Sequence, residues 1–472
     1  MTDDTQATIQ VLPTSITGLF NEPVLYTESD FISGGMTRRQ LVETACRIKV
    51  LLEDEGRNHR PVCLWTEDRG FFMAAILAAL CGGPELVIPH TLSEQVVDEA
   101  CRSKDTHLIL SDNSRPAPEG VRLEVPDISK TRVKTGRSLK LERDLDRPFL
   151  WLYSGGSSDR PSLWSKTPLN LLGEAFFLSD HFHITPQDLI LASVPPQHIY
   201  GLLFSVLLPF VSRAGVVNDT PYFPGEIVTK ADNARATVFI GSPMHYKALA
   251  GRPFQLDTVR LAFSSGGFLE EAHSLAFSEN TGAPVEEVYG STETGGIASR
   301  SRRHGEDAWK PFPVVEWKTR DERLLIKSPF ISPELAKDAE GYFITGDRVG
   351  VCNDGRTFEL YGRADRVVKV GGNRVDLGAV EEKLKTHTGV KDVYVFQVAV
   401  QAGRENGIAA LVVYDGTLKC LKNTMRETLS PFEIPRHIRK VSAIPSTGTG
   451  KRDREAALRM VVDQKVCRSD SP

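Results

Sequence analysis

The chain has 472 residues, of which 40% are hydrophobic and 25% charged, and its formal net charge is −4. This composition is typical of a soluble globular protein of two to four domains, and it argues against general nucleic-acid binding. The seven cysteines form no CxxC pair, the first residues are acidic and polar, and the longest apolar run, 71–80, is too short to span a bilayer. We therefore expect a cytoplasmic protein with reduced thiols and with neither a nucleic-acid nor a membrane partner.

Helices and strands alternate in the first part of the chain. A capping box at Thr37 and Gln40 begins a helix whose apolar residues recur at helical spacing. Strands are predicted at 62–65, 86–88 and 107–110, with helices at 70–80 and 94–101. This order predicts βαβ units and a parallel sheet, whereas residues 112–147 are predicted to form surface loops.

The alternation resumes after residue 150 and changes character after residue 320. Strands are predicted at 189–194, 237–241, 259–263 and 285–289, and helices at 168–180, 201–211 and 269–279. Turns such as Asn353-Asp354-Gly355-Arg356 predict hairpins across 321–362. Beyond them we expect a hairpin around Gly371-Gly372, helices near 377–386 and 417–429, and strands at 392–399, 408–414 and 437–442. The predicted fold class is therefore α/β with a small α+β domain at the C-terminus.

The most informative stretch is Tyr289-Gly290-Ser291-Thr292-Glu293-Thr294-Gly295. It follows an apolar run and combines hydroxyls, a glycine turn and a carboxylate. Such a loop can wrap a nucleotide phosphate and hold Mg²⁺ through Glu293, because Mg²⁺ binds one or two carboxylates together with phosphate oxygens. Clusters of Gly, Ser and Thr also occur in ordinary turns, so this stretch alone leaves both interpretations open.

A second hydroxyl- and glycine-rich loop, Ser154-Gly155-Gly156-Ser157-Ser158, follows an apolar strand at 148–152. Its N–H and O–H groups can point at phosphates, although a plain turn is an equal alternative. Four further stretches are less specific when taken alone, and they are Pro195 to Gly201 with His198, Ser265-Gly266-Gly267, Thr345-Gly346-Asp347 leading to Gly362-Arg363-Ala364-Asp365, and Pro445 to Lys451. The last is not a Walker A motif, since Pro445 and Arg452 stand where that motif needs Gly and Ser or Thr.

In this order and spacing, the motifs resemble the core motifs of the AMP-forming acyl/aryl ligase (adenylating enzyme) superfamily, from about Tyr153 to Arg454. The resemblance implies a large N-terminal domain, 1–363, of parallel and mixed sheets flanked by helices, and a small mobile C-terminal domain, 364–472. It implies acyl-AMP formation from ATP and a carboxylic acid, with Mg²⁺, followed by transfer to a thiol.

The resemblance also implies a role for each matching residue. Lys451, Glu293 and His198 would act in catalysis, Glu293 would hold the metal, and Asp365 would be the hinge between domains. The nucleotide would contact Ser154, Gly156, Ser157, Ser158, Ser265, Gly266, Gly267, Tyr289, Gly290, Ser291, Thr292, Asp347 and Arg363.

The phosphate loop departs from the family pattern at two positions. Asp159 stands where the family usually has glycine, and Ser162 stands where it usually has lysine. These changes add an anion and remove a cation beside the expected triphosphate, and Arg160 and Lys166 are nearby cations that could replace it. A degenerate ligase homologue that binds a nucleotide or acyl group with little catalysis is therefore the alternative function.

The acceptor thiol is predicted from a finer resemblance and from charge. Residues 193–201, 204–209 and 297–300 are similar to short ligases of aryl-polyene-type biosynthetic clusters, which load aromatic or acyl groups onto an acyl carrier protein. Residues 363–472 carry 20 Lys and Arg against 13 Asp and Glu, a balance of +7, whereas the rest carries 37 against 48, a balance of −11. A basic C-terminal domain suits an acidic carrier protein, and coenzyme A, with its phosphates, is the alternative acceptor.

Overall fold

The structure is a computed structural model that describes residues 3–21, 25, 27–54, 60–126, 139–154, 162–370, 373–398, 407–446 and 452–462. One compact unit holds the described residues up to 317 together with 326–343, and a second holds 318–325 and those from 344 onward. The domain boundary between 363 and 364 remains a prediction. The mixed α/β architecture confirms the predicted fold class.

The first unit contains a sheet whose strands run in the order β4-β3-β1-β2-β5-β6. Its strands are β1 Val62–Trp65, β2 Leu86–Ile88, β3 Leu108–Ser111, β4 Arg122–Glu124, β5 Leu150–Tyr153 and β6 Leu163–Lys166. All neighbours are parallel except β5 and β6, which form an antiparallel hairpin. The predicted parallel sheet is confirmed, but β4 forms inside the region predicted as loops, and β6 was not predicted.

A second sheet in the same unit has the order β13-β12-β11-β10-β9-β7-β8. Its strands are β7 Leu189–Ala192, β8 Gly215–Val216, β9 Val238–Gly241, β10 Leu261–Ser264, β11 Val285–Ser291, β12 Gly295–Ser301 and β13 Lys310–Pro311. Strands β7 to β11 pair in parallel, and β12 returns antiparallel to β11. These strands are apolar on both faces, as is usual for parallel strands that are covered on both sides. A hydrophobic core that includes Leu191, Phe239, Tyr246, Phe277 and Val285 packs on one face.

Helices cover the two sheets of the first unit. They are α1 Asp3–Leu19, α2 Arg38–Asp54, α3 Arg69–Leu80, α4 Glu94–Ser103, α5 Glu174–His181, α6 Ile199–Leu202, α7 Leu208–Ser212, α8 Pro224–Ala234, α9 Pro243–Ala250 and α10 Glu271–Thr281, with π-helical turns at Leu169–Gly173 and Leu203–Leu207 and a 3₁₀ turn at Arg302–His304. Helix α3 is buried along its whole length, and Asp68 caps it by accepting the Phe71 N–H at 2.6 Å. No helix among the described residues is long and apolar enough to cross a membrane.

The second unit combines hairpins with a small α+β core. Its first two strands, β14 Glu316–Arg320 and β15 Arg323–Lys327, extend partly into the first unit. The other strands are β16 Phe343–Val351, β17 Phe358–Arg363, β18 Val367–Val370, β19 Asn373–Asp376, β20 Val390–Val398, β21 Gly407–Tyr414 and β22 His437–Lys440. Its helices are α11 Leu377–Lys385, α12 Leu418–Thr428 and α13 Arg454–Val462, with a 3₁₀ turn at Ala364–Arg366. Strands β18 and β19 pair as the predicted hairpin, although Gly371 and Gly372 lie outside the described residues.

Candidate functional site

Four parallel strands of the second sheet end at one edge. Strands β7, β9, β10 and β11 are neighbours, so the loops that follow them begin side by side. The carboxyl edge of a parallel sheet is where ligands bind in open α/β folds. The loops at this edge carry His198, the Ser265 to Gly267 stretch, Thr292 and Glu293. The structure therefore gathers these predicted site residues at one edge of one sheet.

The loop that carries His198 is held by two polar side chains to which the sequence analysis assigned no role. Arg69 is fully buried, and its Nη2 donates to the carbonyls of Ala192 and Val194 at 3.3 and 3.2 Å. Gln197 Nε2 donates to the Thr66 carbonyl at 2.7 Å. His198 then serves as the N-cap residue of α6. These buried hydrogen bonds fix the backbone on which the predicted catalytic histidine stands.

The Ser265-Gly266-Gly267 loop joins two neighbouring strand ends. The Ser265 hydroxyl donates to the Val288 carbonyl at 2.8 Å, which links this loop to the strand that leads into the Glu293 motif. Gly266 has a φ of +85°, which strongly favours glycine. Gly266 and Gly267 are exposed, so this loop offers backbone surface that a planar ligand can approach closely.

The motif at 289–295 forms the tight connection between β11 and β12. Ser291 and Thr294 are held side by side, with their hydroxyl oxygens 2.8 Å apart. A Cβ at Gly290 would lie 2.3 Å from the Gly295 carbonyl, so only glycine fits there. The Ser332 N–H donates to the Glu293 carbonyl at 2.8 Å. The connection is thus fixed by its own hydroxyls and by a neighbouring segment, and it presents a half-buried Glu293.

The remaining motif residues of this connection are placed differently. The Tyr289 ring packs on Trp309 with ring centroids 5.4 Å apart. Thr292 is 8% exposed, so a nucleotide could reach only a small part of it in this conformation.

The predicted phosphate loop begins and ends on the β5–β6 hairpin. The Ser154 N–H donates to the Ser162 carbonyl at 2.7 Å, and the Ser162 N–H donates to Ser154 Oγ at 3.1 Å. We call this reciprocal pair the serine clasp. Gly156, Ser157 and Ser158 lie outside the described residues, so their predicted role as phosphate contacts remains a prediction. At the family's lysine position, this chain uses the backbone of Ser162 to close the loop.

The predicted ribose contacts meet on one hairpin of the second unit. Asp347 on β16 pairs directly with Arg363 on β17. Arg363 also donates to the carboxylate of Asp365, with an Nη2 to Oδ2 distance of 2.7 Å, and this ion pair holds the pKa of Asp365 below its usual range. The predicted hinge residue and a predicted ribose contact are therefore ion-paired with each other.

The predicted catalytic lysine, Lys451, lies outside the described residues, but both flanks of its loop are placed. Ser446 and Arg452 form an antiparallel bridge across the loop, and the Asp453 N–H donates to the Pro445 carbonyl at 3.0 Å. Arg452 Nη1 donates to Asp392 Oδ2 at 2.9 Å on strand β20. The role of Lys451 remains a prediction about a loop whose two ends are held together.

Two fully buried charged residues next to this site were not among the predicted site residues. Lys166 ends β6, and Glu174 begins α5. Burial lowers the pKa of Lys166, and the carboxylates of Glu174, Glu293 and Glu334 oppose that effect. Burial raises the pKa of Glu174, and Lys166 and the Gly296 N–H oppose that effect. A charged pair inside the apolar run 163–178 is the sequence signal that could have drawn attention to them.

Aromatic side chains and a buried histidine lie after strands β8, β9 and β10. Tyr222, Phe223 and Phe268 are exposed by 52%, 63% and 69%, and the His245 ring packs against Tyr222 with centroids 5.8 Å apart. His245 Nδ1 accepts the Ser242 N–H at 3.0 Å, while Nε2 is buried without a hydrogen-bond partner among the described residues. Burial lowers the pKa of His245 to about 4, so this imidazole is neutral. The edge therefore combines apolar surface with a neutral buried donor.

The donor chemistry of the Glu293 connection fits Mg²⁺. Mg²⁺ in nucleotide sites is held by one or two carboxylates together with phosphate oxygens, rather than by a cage of protein ligands. No group of three or more His, Cys, Asp or Glu side chains that could enclose a metal occurs in the part of the chain that the structure describes. A single carboxylate beside hydroxyls is the set that Mg²⁺ accepts when phosphates supply the remaining oxygens.

Comparisons with known proteins identify the family of this chain. Residues 24–330 match the model of the AMP-binding enzyme family, and residues 379–451 match the model of the AMP-binding enzyme C-terminal domain. An acyl-CoA synthetase of Alternaria alternata is 27% identical over 374 residues, which cover 67% of this chain and 65% of that relative. This chain thus spans slightly less than two thirds of that relative's length. A malonate–CoA ligase of Arabidopsis thaliana is 22% identical over 468 residues, covering 84% of this chain and 77% of the relative.

Solved structures show the same fold. ATP-bound MatB from Rhodopseudomonas palustris superimposes with a TM-score of 0.78 at 21% identity, covering 95% of this chain and 99% of that one. At this identity, the likeness shows the fold alone. The finer resemblance to aryl-polyene-type ligases stays a prediction.

Proposed function

Because this chain belongs to the family of AMP-binding enzymes, we propose that it is an AMP-forming ligase that joins a carboxylic acid to a thiol. In the first step, a carboxylate oxygen attacks the α-phosphorus of ATP, which forms acyl-AMP and releases pyrophosphate. In the second step, a thiol attacks the acyl carbonyl, and AMP leaves as the thioester forms. The observation that carries this proposal is the gathering of His198, Ser265 to Gly267 and Glu293 at one carboxyl edge.

The first step depends mainly on positioning and on neutralising the charge of the phosphates. Glu293 would hold Mg²⁺, which neutralises phosphate charge when bound. The hydroxyls of Ser154, Ser157, Ser158 and Thr292 would donate to phosphates, and Asp347 would accept from ribose hydroxyls while Arg363 donates to ribose or phosphate. Lys451 would donate to the carboxylate and α-phosphate oxygens as charge moves between them. Rotation about Asp365 would then remove Lys451 and admit the thiol.

We propose that the acid is an aromatic monocarboxylate. The exposed rings of Tyr222, Phe223 and Phe268 offer aromatic surface at the site edge. The loops at this edge, 193–201, 217–223, 242–245, 265–268 and 289–294, contain no Lys or Arg in their sequences. A second carboxylate on the substrate would therefore find no side-chain cation on these loops, which disfavours a dicarboxylate.

Coenzyme A is the better supported acceptor. The two relatives described above are named as a coenzyme A synthetase and a coenzyme A ligase, which supports the alternative from the sequence over the carrier protein. The balance of +7 in residues 363–472 suits the phosphates of coenzyme A as well as an acidic protein. An acyl carrier protein remains the second candidate because of that same charge.

The test is pyrophosphate release across a panel of acids, followed by mass spectrometry of the thioester. We expect release that depends on an aromatic acid, and an acyl-CoA product that forms faster than a loaded carrier protein at every salt concentration. Faster loading of a holo carrier protein, with a rate that falls steeply with added salt, would restore the carrier-protein prediction. Nucleotide binding without acid-dependent pyrophosphate release would instead identify a degenerate homologue.

A further inference from the structure

Two buried charged side chains lie next to the connection that carries Glu293. Lys166 has no exposed surface and Glu174 is 2% exposed. Lysine and glutamate are almost never fully buried unless they are paired, because burying an isolated charge is costly. Neither side chain can contact substrate in this conformation, so any role in the proposed reaction must act through other groups.

Glu174 lies against the backbone at the end of the motif. Its Oε1 accepts the Gly296 N–H at 2.6 Å, and its Oε2 is buried without a hydrogen-bond partner among the described residues. A Cβ at Gly295 would lie 2.6 Å from Oε2, and a Cβ at Gly296 would lie 3.1 Å from Oε1. The two glycines thus leave room for the carboxylate, which fixes the start of β12.

Lys166 is linked to the same connection through residues 330–332. Its Nζ donates to the Phe330 carbonyl at 3.2 Å, and two residues further on, the Ser332 N–H donates to the Glu293 carbonyl at 2.8 Å. The segment between these bonds is held further by Asn170, whose Nδ2 donates to the Pro329 carbonyl at 2.7 Å. Residues 329–332 therefore connect the strand that follows the phosphate loop with the backbone of Glu293.

The charges complete the arrangement. The ammonium of Lys166 is attracted by the carboxylates of Glu174, Glu293 and Glu334. Without this cation, the buried carboxylate of Glu174 and the half-buried carboxylate of Glu293 would lose a shared opposing charge, and the Glu293 side chain would be free to turn toward solvent. Lys166 thus balances the carboxylate that the proposed function assigns to Mg²⁺.

On the premise of that proposed function, we propose that Lys166 and Glu174 are positioning residues that hold Glu293 in its metal-binding orientation. The phosphate loop has no lysine at Ser162. The buried Lys166 is a cation nearby, but it would act on the carboxylate of Glu293 rather than contact the triphosphate directly. The pair would therefore determine how much Mg²⁺ contributes to nucleotide binding, and would have little effect on binding of ATP without the metal.

The test uses the full chain with both charges removed. Lys166→Met with Glu174→Gln keeps side-chain volume, and glutamine still offers an oxygen to the Gly296 N–H. The control is Asp188→Asn with Arg260→Met, which removes an ion pair between a buried carboxylate and a partly exposed arginine at the amino ends of β7 and β10, on the opposite edge of the same sheet. ATP affinity is measured by calorimetry, with Mg²⁺ and with EDTA, alongside thermal unfolding.

We expect MgATP to bind about 10–100-fold more weakly to the Lys166/Glu174 variant, as for other residues that support metal ligands. Affinity for ATP in EDTA should change little, and the control should match wild type in both conditions. A folded variant with wild-type MgATP affinity would overturn this inference alone. Absence of MgATP binding by the wild-type protein would overturn the proposed function and this inference together.

A second measurement separates positioning from a general loss of stability. Glu293→Gln is introduced into the wild type and into the Lys166/Glu174 variant, and the two losses in MgATP affinity are compared. If the pair acts through Glu293, the substitution should have a much smaller effect in the variant. Equal, additive losses would contradict the inference. Glu174→Gln alone, which keeps Lys166 and its other carboxylates, serves the same comparison if the double variant does not fold.

Discussion

The Glu293 connection and the Asp347–Arg363 hairpin are both predicted to contact the nucleotide, yet they are held in different ways. Glu293 is supported by buried charges, with Lys166 fully buried and Glu174 2% exposed. Arg363 is held by an exposed pair, in which the side chains of Arg363 and Asp365 are 42% and 57% exposed. The first region keeps its supporting charges, Lys166 and Glu174, away from solvent, whereas the second leaves both members of its ion pair in contact with solvent.

Because of this difference, substitutions of the buried charges and of the exposed charges should have different effects on stability and function. Removing one partner of a buried pair leaves an uncompensated charge at low dielectric, so stability and function should be lost together. Removing one partner of an exposed pair leaves a charge that water still solvates, so function can change while stability does not. The expected effects below run from the buried region to the exposed one.

Lys166→Met alone should have the largest effect on stability. It removes the opposing charge that acts on buried Glu174 and the bond to the Phe330 carbonyl, and leaving a buried polar group without its partner should cost about 1–3 kcal/mol of unfolding free energy. Denaturant unfolding measures this, with Arg363→Met as the exposed counterpart that should change stability by less than about 1 kcal/mol. Equal losses in the two variants would remove the distinction between the regions.

Lys451→Ala should show the reverse pattern, a loss of function with little loss of stability. We expect acyl-AMP formation to slow by about 10²–10³, the scale for removing one preorganised donor. Single-turnover assays of the first step measure this, and the unfolding midpoint should stay close to that of the wild type. Near-normal acyl-AMP formation would show that the lysine has another role.

His245 should make stability depend on pH. Its folded pKa of about 4 lies below the unfolded value of 6.5, so between these pH values the unfolded state binds more protons. Unfolding free energy should therefore fall as pH decreases from 6.5 to 4, by about 3 kcal/mol from this group. His245→Asn, which can still accept the Ser242 N–H, should flatten this part of the stability curve. An unchanged slope would mean that other groups dominate it.

Asp365→Asn should have the smallest effect on stability, below about 1 kcal/mol, since the pair that it breaks is exposed. If Asp365 is a hinge, acyl-AMP formation and thioester formation should nevertheless change by different factors. Rapid-quench measurements of the two half-reactions make the comparison, and equal changes in both would count against a hinge.

Sequence patterns predicted the long apolar elements well. Helix α11 and the strands β7, β9, β10 and β11 lie within about two residues of their expected bounds, because burial on both faces of these strands leaves continuous apolar runs, whereas the two-residue strand β8 was not predicted. Strand β6 was missed because Trp164, Ser165 and Lys166 show no alternation that marks a strand. Strand β6 forms because it pairs with β5, and the serine clasp joins the two strands at the loop; the sequence predicted β5 but not this pairing.

The site motifs were visible as sequence, but their supports were not. Glu293 stands in a motif, whereas the sequence indicated Lys166 only as a cation near the phosphate loop and gave Glu174 no role. Whether a charge is buried depends on segments far along the chain, such as Phe330 and Gly296. A single sequence contains the partners without indicating that they meet.

The serine clasp has a consequence for engineering. The bonds between Ser154 and Ser162 involve mostly backbone atoms, so they do not depend on the side chains of residues 155–161. The entropic cost of closing a loop grows only slowly with the length of the loop. We therefore expect that segments of different length and charge can be exchanged between these two serines while the β5–β6 hairpin keeps its register, so the predicted phosphate contacts can be changed without altering the hairpin.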